Sequence, residues 1–378
     1  MEAPFSFGRV SPPIDFCDRE AERGVLARNF MSGTNTTLIS PRRWGKTSLV
    51  AAVARDLSAT KGLAICRIDL LGVRDEADCY AALANGVIAA VNTGWDGFVS
   101  DVKRFLSQLR PRIAVSPDPS VQLSFDLDWE EVGRSPADVI DLAQRVAAER
   151  KLKLVVCVDE FQAIAGFKDS LAFQQALRAR WQHHSDVTYC LYGSKRSMMT
   201  TMFSDPAWPF YRFGEIMELQ KIANSKWSEF IAKRFDDTGK AISVELASYL
   251  AELVDNHPYY VQQLAQQTWY RTGRVCAKPV IDEALGAIAD QLGYSFTSLA
   301  EGLSAAQLRL IQAVLNGANQ LSSAATIKEY RLKTAGSVVA IKKALISKEV
   351  LDADATGKLS VLDPVFAYWL KNRYFAAS

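Results

Sequence analysis

The sequence is poor in the residues that build metal sites and disulfide frameworks. It contains 3 histidines and 6 cysteines in 378 residues, and no two cysteines form a CxxC pair. Cys157 and Cys190 lie inside apolar runs, which is typical of small core side chains in a reducing compartment. The histidines, at positions 183, 184 and 257, have no cysteine or spaced carboxylates near them. We therefore expect neither a zinc site nor a disulfide scaffold.

The sequence also lacks a strong charge of either sign and any long apolar segment. Its 44 basic and 42 acidic residues give a formal net charge of +2, so any nucleic-acid surface must be local. No run approaches the roughly 18 apolar residues of a membrane-spanning helix. The first residues, MEAPFSFGRVSPP, do not have the pattern of a secretory signal. These features predict a cytoplasmic protein that does not contact a membrane.

Glycine and proline are too few for a collagen-like or low-complexity chain, at 21 and 13 residues. Hydrophobic residues make up 49% of the sequence, which excludes a disordered chain. A single core stops growing near about 250–300 residues, so 378 residues indicate two or three domains.

The first half alternates apolar strands with helical segments. This pattern predicts a parallel sheet that is covered on both faces. A helix is expected over Ser48–Leu57, directly after the first strand. The predicted strands are Thr36–Ser40, Leu63–Leu71, Leu152–Val158, Val187–Tyr192 and Glu215–Ile222.

An insertion and a helical second half complete the expected organisation. Alternating apolar residues predict a hairpin at about residues 113–128, which is either a binding edge or a packing element. Four helices are expected over 224–235, 243–254, 259–270 and 280–292, with Asn224 or Ser225 and Ser243 as N-caps. Three short helices (304–315, 322–329, 336–345), a ribbon (350–361) and a closing helix (363–373) are typical of a winged helix. The predicted domains are a core (1–222), a helical lid (223–298) and a winged helix (299–378).

Residues 40–47 resemble a phosphate-binding loop. They match the pattern GxxxxGK[ST] except at the first position, where Ser40 replaces glycine. In such a loop Gly45 lets the backbone approach the phosphates, Lys46 reaches the β- and γ-phosphates, and Thr47 ligates Mg²⁺. Arg42 and Arg43 either contact phosphate or a neighbouring subunit, or are solvated. The loop therefore predicts that residues from Ser40 to Ser48 bind a nucleotide: Ser40, Pro41, Arg42, Arg43, Trp44, Gly45, Lys46, Thr47 and Ser48.

Two acids follow the buried strand Leu154–Val158. Asp159 at the end of that strand would hold Mg²⁺ together with Thr47, and Glu160 could orient and deprotonate an attacking water. Carboxyl ends of parallel strands line the ligand crevice of open α/β sheets. Because the chain has no NKxD guanine motif, ATP is favoured over GTP.

At this point the chain resembles the archaeal-ATPase-type family of AAA+ and STAND P-loop ATPases. The likeness extends over nearly the whole chain and rests on several motifs in order. Asp18 and Asn256 stand where the family usually has glycine. The motifs are Phe16-Cys-Asp-Arg19-Glu20, Pro41–Ser48, Val158-Asp-Glu-Phe-Gln162, Gly193-Ser194, Pro209-Phe-Tyr-Arg212-Phe213, His257-Pro258-Tyr-Tyr260 and Asp363-Pro-Val-Phe-Ala-Tyr-Trp369.

The resemblance implies roles for residues outside the loop Ser40–Ser48 and the acidic pair Asp159-Glu160. Ser194 would sense the γ-phosphate, and Arg212 would supply positive charge to the transition state, in cis or from a neighbouring subunit. Arg212 could equally be a surface or core-rim arginine. Further nucleotide contacts would come from Phe16, Arg19 and Glu20 near the adenine and from His257 and Pro258 in the lid. His257 could instead mark a helix-capping His-Pro turn.

The winged-helix region has a local excess of basic residues. Its expected recognition helix, Gly336–Leu345, is mainly Ala, Val and Ile, whereas sequence-specific DNA readers usually place Arg, Asn or Gln there. Two interpretations stay open: the winged helix makes a salt-sensitive contact with DNA, or it clamps the ATPase core in its resting state. The residues that would contact DNA are Lys328, Arg331, Lys333, Lys342, Lys343 and Lys348.

Together these features predict an α/β P-loop ATPase of the AAA+ type with a three-layer core, a helical lid and a winged helix. The expected activity is Mg²⁺-dependent conversion of ATP to ADP and phosphate by a molecular switch that acts on a protein partner. The alternative is a DNA-associated ATPase of the loader or initiator type. A shared Arg212 would make the protein a homo-oligomer.

Overall fold

The computed structural model describes residues 3–9, 16–92, 97, 100, 101, 104, 105, 112–114, 124–126, 136–354 and 357–376. These residues form two compact units. The core unit is Arg19–Gln220, and the helical unit comprises Met1–Asp18 and Lys221–Ser378. The first residues thus group with the helical unit, whereas the sequence placed them in the core. The boundary between lid and winged helix stays a prediction.

A parallel five-stranded sheet forms the centre of the core unit. Its strands stand in the order β2-β5-β6-β1-β7, so β6 separates β1 from β5. In the register, Leu38 lies beside Tyr192, and Cys157 lies beside Cys190. The strands of the core unit are β1 (Thr36–Ile39), β2 (Leu63–Asp69), β3 (Arg112–Ala114), β4 (Ser124–Asp126), β5 (Lys153–Asp159), β6 (Val187–Gly193) and β7 (Glu215–Glu218).

Helices cover this sheet, because its central strands are apolar on both faces. Every residue of β6 is buried, and so is β5 apart from Lys153. A 3₁₀-helix, Phe161–Gly166, directly follows the acids at the end of β5. The helices are α1 (Glu20–Ser32), α2 (Lys46–Asp56), α3 (Glu76–Ala90), α4 (Pro136–Ile140), α5 (Leu142–Arg150), α6 (Ser170–Trp181) and α7 (Arg196–Ser204).

The predicted insertion contains an antiparallel pair. β3 and β4 pair with Ile113 opposite Phe125, as expected for the two arms of a hairpin. The residues that connect the two arms of the predicted hairpin lie outside the described residues. Its use as a binding edge stays a prediction.

The helical unit begins with four helices close to their expected positions. Ser243 caps α9 by accepting a hydrogen bond from the Leu246 amide, as predicted. The prediction for α8 is wrong, because Ala223 is its N-cap and Asn224 is already helical. The side chain of Asn224 instead donates, through Nδ2, to the Ser248 carbonyl and to Asn256 Oδ1. The helices are α8 (Asn224–Asp236), α9 (Val244–Leu253), α10 (Pro258–Arg271) and α11 (Lys278–Gln291).

The end of the chain has the order of elements expected for a winged helix. An additional helix, α12, precedes it, and β8 and β9 form the two-stranded ribbon. The last helix continues into a π-helical turn, Leu370–Tyr374. The elements are α12 (Gly293–Glu301), α13 (Ala305–Leu315), α14 (Ala324–Glu329), α15 (Ala335–Ser347), β8 (Leu351–Ala353), β9 (Leu359–Val361) and α16 (Pro364–Trp369).

The first residues are fixed to the helical unit by apolar and polar contacts. Phe5 is 2% exposed and packs against Phe230 and Phe235. The Arg234 side chain donates to the Pro4 carbonyl, and Gln266 donates to the Phe5 carbonyl. These contacts explain why the segment groups with the helical unit.

All six cysteines are buried and none forms a disulfide. Burial raises the pKa of the thiols of Cys66, Cys79 and Cys157. Among the described residues no helix is long and apolar enough to cross a membrane.

Candidate functional site

The loop between β1 and α2 has the backbone of an anion-binding turn. Gly45 has a φ of 94°, and Arg43 has a φ of 64°, so both adopt the left-handed conformation. Ser40 is buried and is not among the residues of positive φ. A side chain at the first position is therefore tolerated without backbone strain. The loop leads directly into the N-terminus of α2, and the N-terminus of a helix favours negative charge.

Lys46 lies inside this loop. It is 5% exposed, and its Nζ donates to the carbonyl oxygens of Ser40 at 2.9 Å and Pro41 at 3.0 Å. The ammonium group is thus held against loop carbonyls at the carboxyl end of the sheet. Phosphate oxygens entering the loop would offer it stronger, charge-assisted acceptors.

Thr47 and Asp159 form the second element of the site. Thr47 Oγ1 donates to Asp159 Oδ2 at 2.6 Å, which joins the start of α2 to the end of β5. Burial raises the pKa of Asp159 to about 6, and the nearby acids Glu160 and Asp69 add to this rise. The hydrogen bonds from Thr47 and from the Glu160 amide lower the pKa, but they do not offset burial.

These two side chains fit a magnesium ion. The hydroxyl and carboxylate oxygens are hard ligands of the kind that Mg²⁺ prefers, alongside water and phosphate. A buried carboxylate whose charged neighbours are acidic is a position where a cation stabilises the charged form. Among the described residues there is no cluster of three or more metal-ligating side chains.

Glu160 is held beside this pair by two donors. Ser194 Oγ donates to Glu160 Oε2 at 2.8 Å, and Gln162 Nε2 donates to the same oxygen. Arg42 Nε in turn donates to Ser194 Oγ at 3.3 Å. The chain of contacts therefore runs from the loop between β1 and α2 through Ser194 to the Glu160 carboxylate.

The structure thus brings most of the core-unit candidates together at the carboxyl ends of β1, β5 and β6. Arg42 and Arg43 are exposed, Trp44 is 8% exposed, and Ser48 is half-buried in the first turn of α2. The residues joined by hydrogen bonds are Ser40, Pro41, Arg42, Lys46, Thr47, Asp159, Glu160 and Ser194.

Arg212 lies near the amino ends of the strands, on the side of the sheet opposite to the carboxyl ends that carry the loop. It precedes β7 by three residues, and β7 begins at Glu215, which pairs with Thr36 at the start of β1. The backbone at Gly214 is so close to Asn35 that an added Cβ would lie 2.1 Å from its carbonyl oxygen. The Arg212 side chain is exposed and its guanidinium lies over the Tyr211 ring at 5.0 Å. The loop Ser40–Thr47 follows the other end of β1, roughly 13 Å away at 3.3 Å per residue.

The remaining nucleotide candidates occupy the start of α1 and the helical unit. Arg19 is the N-cap residue of α1 with a φ of 77°, and its Nη1 pairs with Glu22 at 2.7 Å. Glu20 is exposed, and Phe16 is half-buried in the helical unit. His257 is 6% exposed at the N-cap of α10, with Pro258 as the first helical residue. The contacts of these residues with nucleotide stay predictions.

Most of the basic residues predicted to contact DNA in the winged helix are exposed to solvent. Lys328, Arg331, Lys333, Lys343 and Lys348 are exposed, and Lys342 is half-buried. Lys348 donates to the Gly302 carbonyl. Their contact with DNA stays a prediction.

Sequence reasoning did not single out Gln162, whose side chain bonds to Glu160, or Gly193, which lies against that side chain. Both belong to motifs named above, as the last residue of Val158–Gln162 and the first of Gly193-Ser194. The signal that could have found Gln162 is its spacing, because a residue two positions after Glu160 on a tight 3₁₀ turn can reach back to its carboxylate.

Comparisons with known proteins bear on the fold. Residues 294–372 match the model of a family described as a probable winged helix domain. No curated protein matches the sequence. Among solved structures, the Walker-type ATPase PABY2304 of Pyrococcus abyssi is similar, with 17% identity and a TM-score of 0.64 over 96% of this chain and 99% of that one. The fold is that of the AAA+ P-loop ATPases with a C-terminal winged helix.

Two proteins of Aeropyrum pernix share this fold. ORC2, solved as ADPNP and ADP complexes, has 13% identity and a TM-score of 0.55 over all of both chains. ORC1, solved in complex with DNA, has 13% identity and a TM-score of 0.51, also over all of both chains. At these identities the likeness establishes the AAA+ fold and nothing finer. It confirms the predicted fold class.

Proposed function

We propose that this protein binds Mg²⁺-ATP at the loop Ser40–Thr47, hydrolyses it to ADP and phosphate, and acts as a nucleotide-dependent switch on a protein partner. The main support is the junction of two pairs at one edge of the sheet. Thr47 bonds to Asp159 at 2.6 Å, and Ser194 bonds to the adjacent Glu160 at 2.8 Å. A cation-binding pair and a water-activating pair are thus adjacent in the chain and in space.

The residues of this site would divide the reaction among them. Lys46 would exchange its loop carbonyls for the β- and γ-phosphate oxygens, and the first amides of α2 would face the same charges. Mg²⁺, held by Thr47 and Asp159, supplies charge neutralisation of the phosphates when bound. Glu160 would accept a proton from water as the water oxygen bonds to the γ-phosphorus, while the bond to the ADP oxygen breaks.

The test of this proposal is steady-state ATP turnover with Glu160→Gln as the blank. Loss of the general base is expected to lower kcat by about 10²- to 10⁴-fold. The affinity for ATP should stay within a few-fold of wild type, because the lost group acts on water. Glu229→Gln, an exposed glutamate of α8, is the matched control and should turn over like wild type. Equal turnover by Glu160→Gln and wild type would overturn the proposal.

The surface of α15 supports a protein partner. Its exposed residues are small or apolar apart from Lys343, and Val339 is 62% exposed. A recognition helix that reads bases needs polar side chains which can pair with base edges. An apolar exposed helix face is more typical of protein contact. The exposed residues are Ala335, Gly336, Val339, Ala340, Lys343 and Ser347.

A second candidate function is binding to duplex DNA through the winged helix. It is favoured by the exposed basic residues of α14 and α15 and by the AAA+ fold that this chain shares with the DNA-bound ORC1. Turnover measured with and without generic duplex at low salt separates the two candidates. Stimulation by DNA, with a steep fall of affinity as salt rises, would favour DNA. Turnover that ignores DNA favours the protein partner.

The position of Arg212 supports a homo-oligomer. The arginine lies at the amino edge of the sheet, whereas the loop of the same chain lies at the carboxyl edge. An arginine that serves as a finger from this position must therefore reach the site of a neighbouring subunit. The cytoplasmic location stays a prediction.

A further inference from the structure

The Gln162 side chain is buried and hydrogen-bonded, although the short 3₁₀-helix that contains it requires neither. It is 5% exposed, and its Nε2 donates to Glu160 Oε2. Its Oε1 is buried and has no hydrogen-bond partner among the described residues. Burying an amide oxygen without a hydrogen-bond partner lowers the stability of the folded state. A side chain held at that cost, with its other end on a reactive carboxylate, suggests a functional constraint.

Gly193 supplies the space for this side chain. A Cβ built on Gly193 would lie 1.8 Å from Gln162 Oε1 and 3.0 Å from Met199 Sδ. Gly193 is not among the residues of positive φ, so its backbone conformation does not explain the glycine. The absent side chain therefore leaves room for Gln162, and the next residue, Ser194, provides the second donor to Glu160.

The two donors converge on one oxygen of the carboxylate. Ser194 and Gln162 both bond to Glu160 Oε2, one from the end of β6 and one from the turn after β5. The backbone of Glu160 is itself constrained, with a φ of 51° and its carbonyl accepting from the Ala163 amide. This arrangement fixes the direction of the side chain and leaves Oε1 to accept a proton.

We propose that Gln162 is a positioning residue for Glu160 and that residue 193 is glycine so that the Gln162 side chain can reach it. The inference rests on the proposed function, because it assigns Gln162 to the turnover step at that same site. It predicts that residues 162 and 193 act as one unit. Gln162 itself touches neither water nor phosphate in this assignment.

The first test is Gln162→Met, which keeps the length and volume of the side chain and removes the donor. We expect kcat to fall by about 10- to 100-fold, because misplacement of a reactive group by about 1 Å costs up to about 10²-fold. The KM for ATP should stay within about threefold. A purely structural role would instead change stability and KM while leaving kcat near wild type.

The matched control is Gln174→Met. Gln174 is fully buried in α6 of the same unit, its Oε1 also has no hydrogen-bond partner among the described residues, and its Nε2 donates to Ser170. Removing this amide should change the melting temperature about as much as Gln162→Met does. Its kcat should stay near wild type. Equal loss of kcat in both variants would overturn the proposal.

The second test is a mutant cycle on residues 162 and 193. Gly193→Ala should lower kcat as much as Gln162→Ala, because the added methyl displaces the amide. The double variant should be no slower than Gln162→Ala alone, within about threefold, and should melt at a higher temperature than Gly193→Ala. Multiplied losses, or a double variant that folds no better than Gly193→Ala, would overturn the coupling.

The outcomes separate this inference from the proposed function. If Glu160→Gln turns over like wild type, the assignment of the site fails as a whole. If Glu160→Gln is inactive while Gln162→Met keeps kcat within twofold, the site stands and only the role of Gln162 is overturned.

Discussion

The carboxyl edge of the sheet and the winged-helix surface both present charged side chains, but they arrange them differently. At the sheet edge, one chain of contacts links Arg42, Ser194 and Glu160. A separate bond joins Thr47 to Asp159. On the winged helix, the basic residues are mostly exposed and separate.

This difference teaches where specific chemistry can arise. Groups that hold one another in fixed positions can act in concert on a reacting atom, and removing one of them disturbs the others. Separate, solvated cations act mainly through long-range attraction, which salt screens. Substitutions at the sheet edge should therefore have large effects, and those on the winged helix small, roughly additive ones.

The largest expected effect concerns Arg212, which lies outside the contact network. If a neighbouring subunit uses it, Arg212→Ala should lower kcat by about 10³-fold or more while ATP still binds. Mixing Arg212→Ala with Glu160→Gln should restore turnover, because mixed sites then contain one intact copy of each residue. The control is Arg271→Ala, because the Arg271 side chain donates to Gln267 within its own helix. Absence of rescue would contradict a shared site.

Lys46→Ala should weaken ATP binding next most strongly. Removing a buried, hydrogen-bonded charge partner costs about 2–5 kcal/mol, which corresponds to at least roughly 30-fold in Kd. Titration with a fluorescent ATP analogue measures this. Lys61→Ala, an exposed lysine before β2, should bind like wild type. Unchanged affinity for ATP in Lys46→Ala would show that the loop does not form part of the ATP site.

Asp159→Asn should stabilise the nucleotide-free protein at neutral pH. The folded-state pKa of Asp159 is about 6, above the ordinary aspartate value of 3.8, so the folded state binds more protons between these values. Stability is therefore lost as pH rises through this window, and Asn removes that loss, by up to about 3 kcal/mol. The gain in melting temperature should be larger at pH 7.5 than at pH 5.

The control for this pH dependence is Asp69→Asn. Asp69 pairs with Asp159 in the sheet register but is exposed, so its own charge is solvated. It is only the last of the causes that raise the Asp159 pKa, so Asp69→Asn should change the melting temperature far less than Asp159→Asn does. A gain from Asp159→Asn that is the same at both pH values would contradict burial as the cause.

The smallest effect is expected from Lys342→Ala combined with Lys343→Ala. Binding to generic duplex should lie in the non-specific range, at a Kd of about 10⁻⁴–10⁻⁶ M at physiological salt. The double variant should change it by less than about tenfold and lower the salt slope by no more than about 2. Lys61→Ala with Lys168→Ala, both exposed in the core unit, is the control. A larger loss would favour the DNA candidate and would break the contrast between the two surfaces.

The departures from the family motifs show how much the sequence could predict. Asp18 and Asn256 replace a usual glycine, and both adopt positive φ, at 56° and 53°. After glycine, Asn and Asp are the residues that adopt this conformation most readily. At Ser40 the backbone makes no such demand. The motif positions were thus readable because local backbone geometry constrains them.

Elements that depend on distant contacts were harder to predict. Helix α12 begins with Gly293 and continues with Ser and Thr, which gives a weak local signal. Its stability comes from packing, since Phe296 is buried and contacts Phe366 and Trp369. The first residues joined the helical unit for the same reason, through Phe5. Gln162 needed the position of Gly193, which only the folded sheet provides.

The buried cysteines give the molecule built-in reporters of opening. Cys66, Cys79, Cys157 and Cys190 belong to the core unit, and Cys17 and Cys276 belong to the helical unit. A buried thiol reacts with an alkylating reagent only when its surroundings open. The modification rate at each position, followed by mass spectrometry, therefore measures the opening of each unit separately in the unaltered protein.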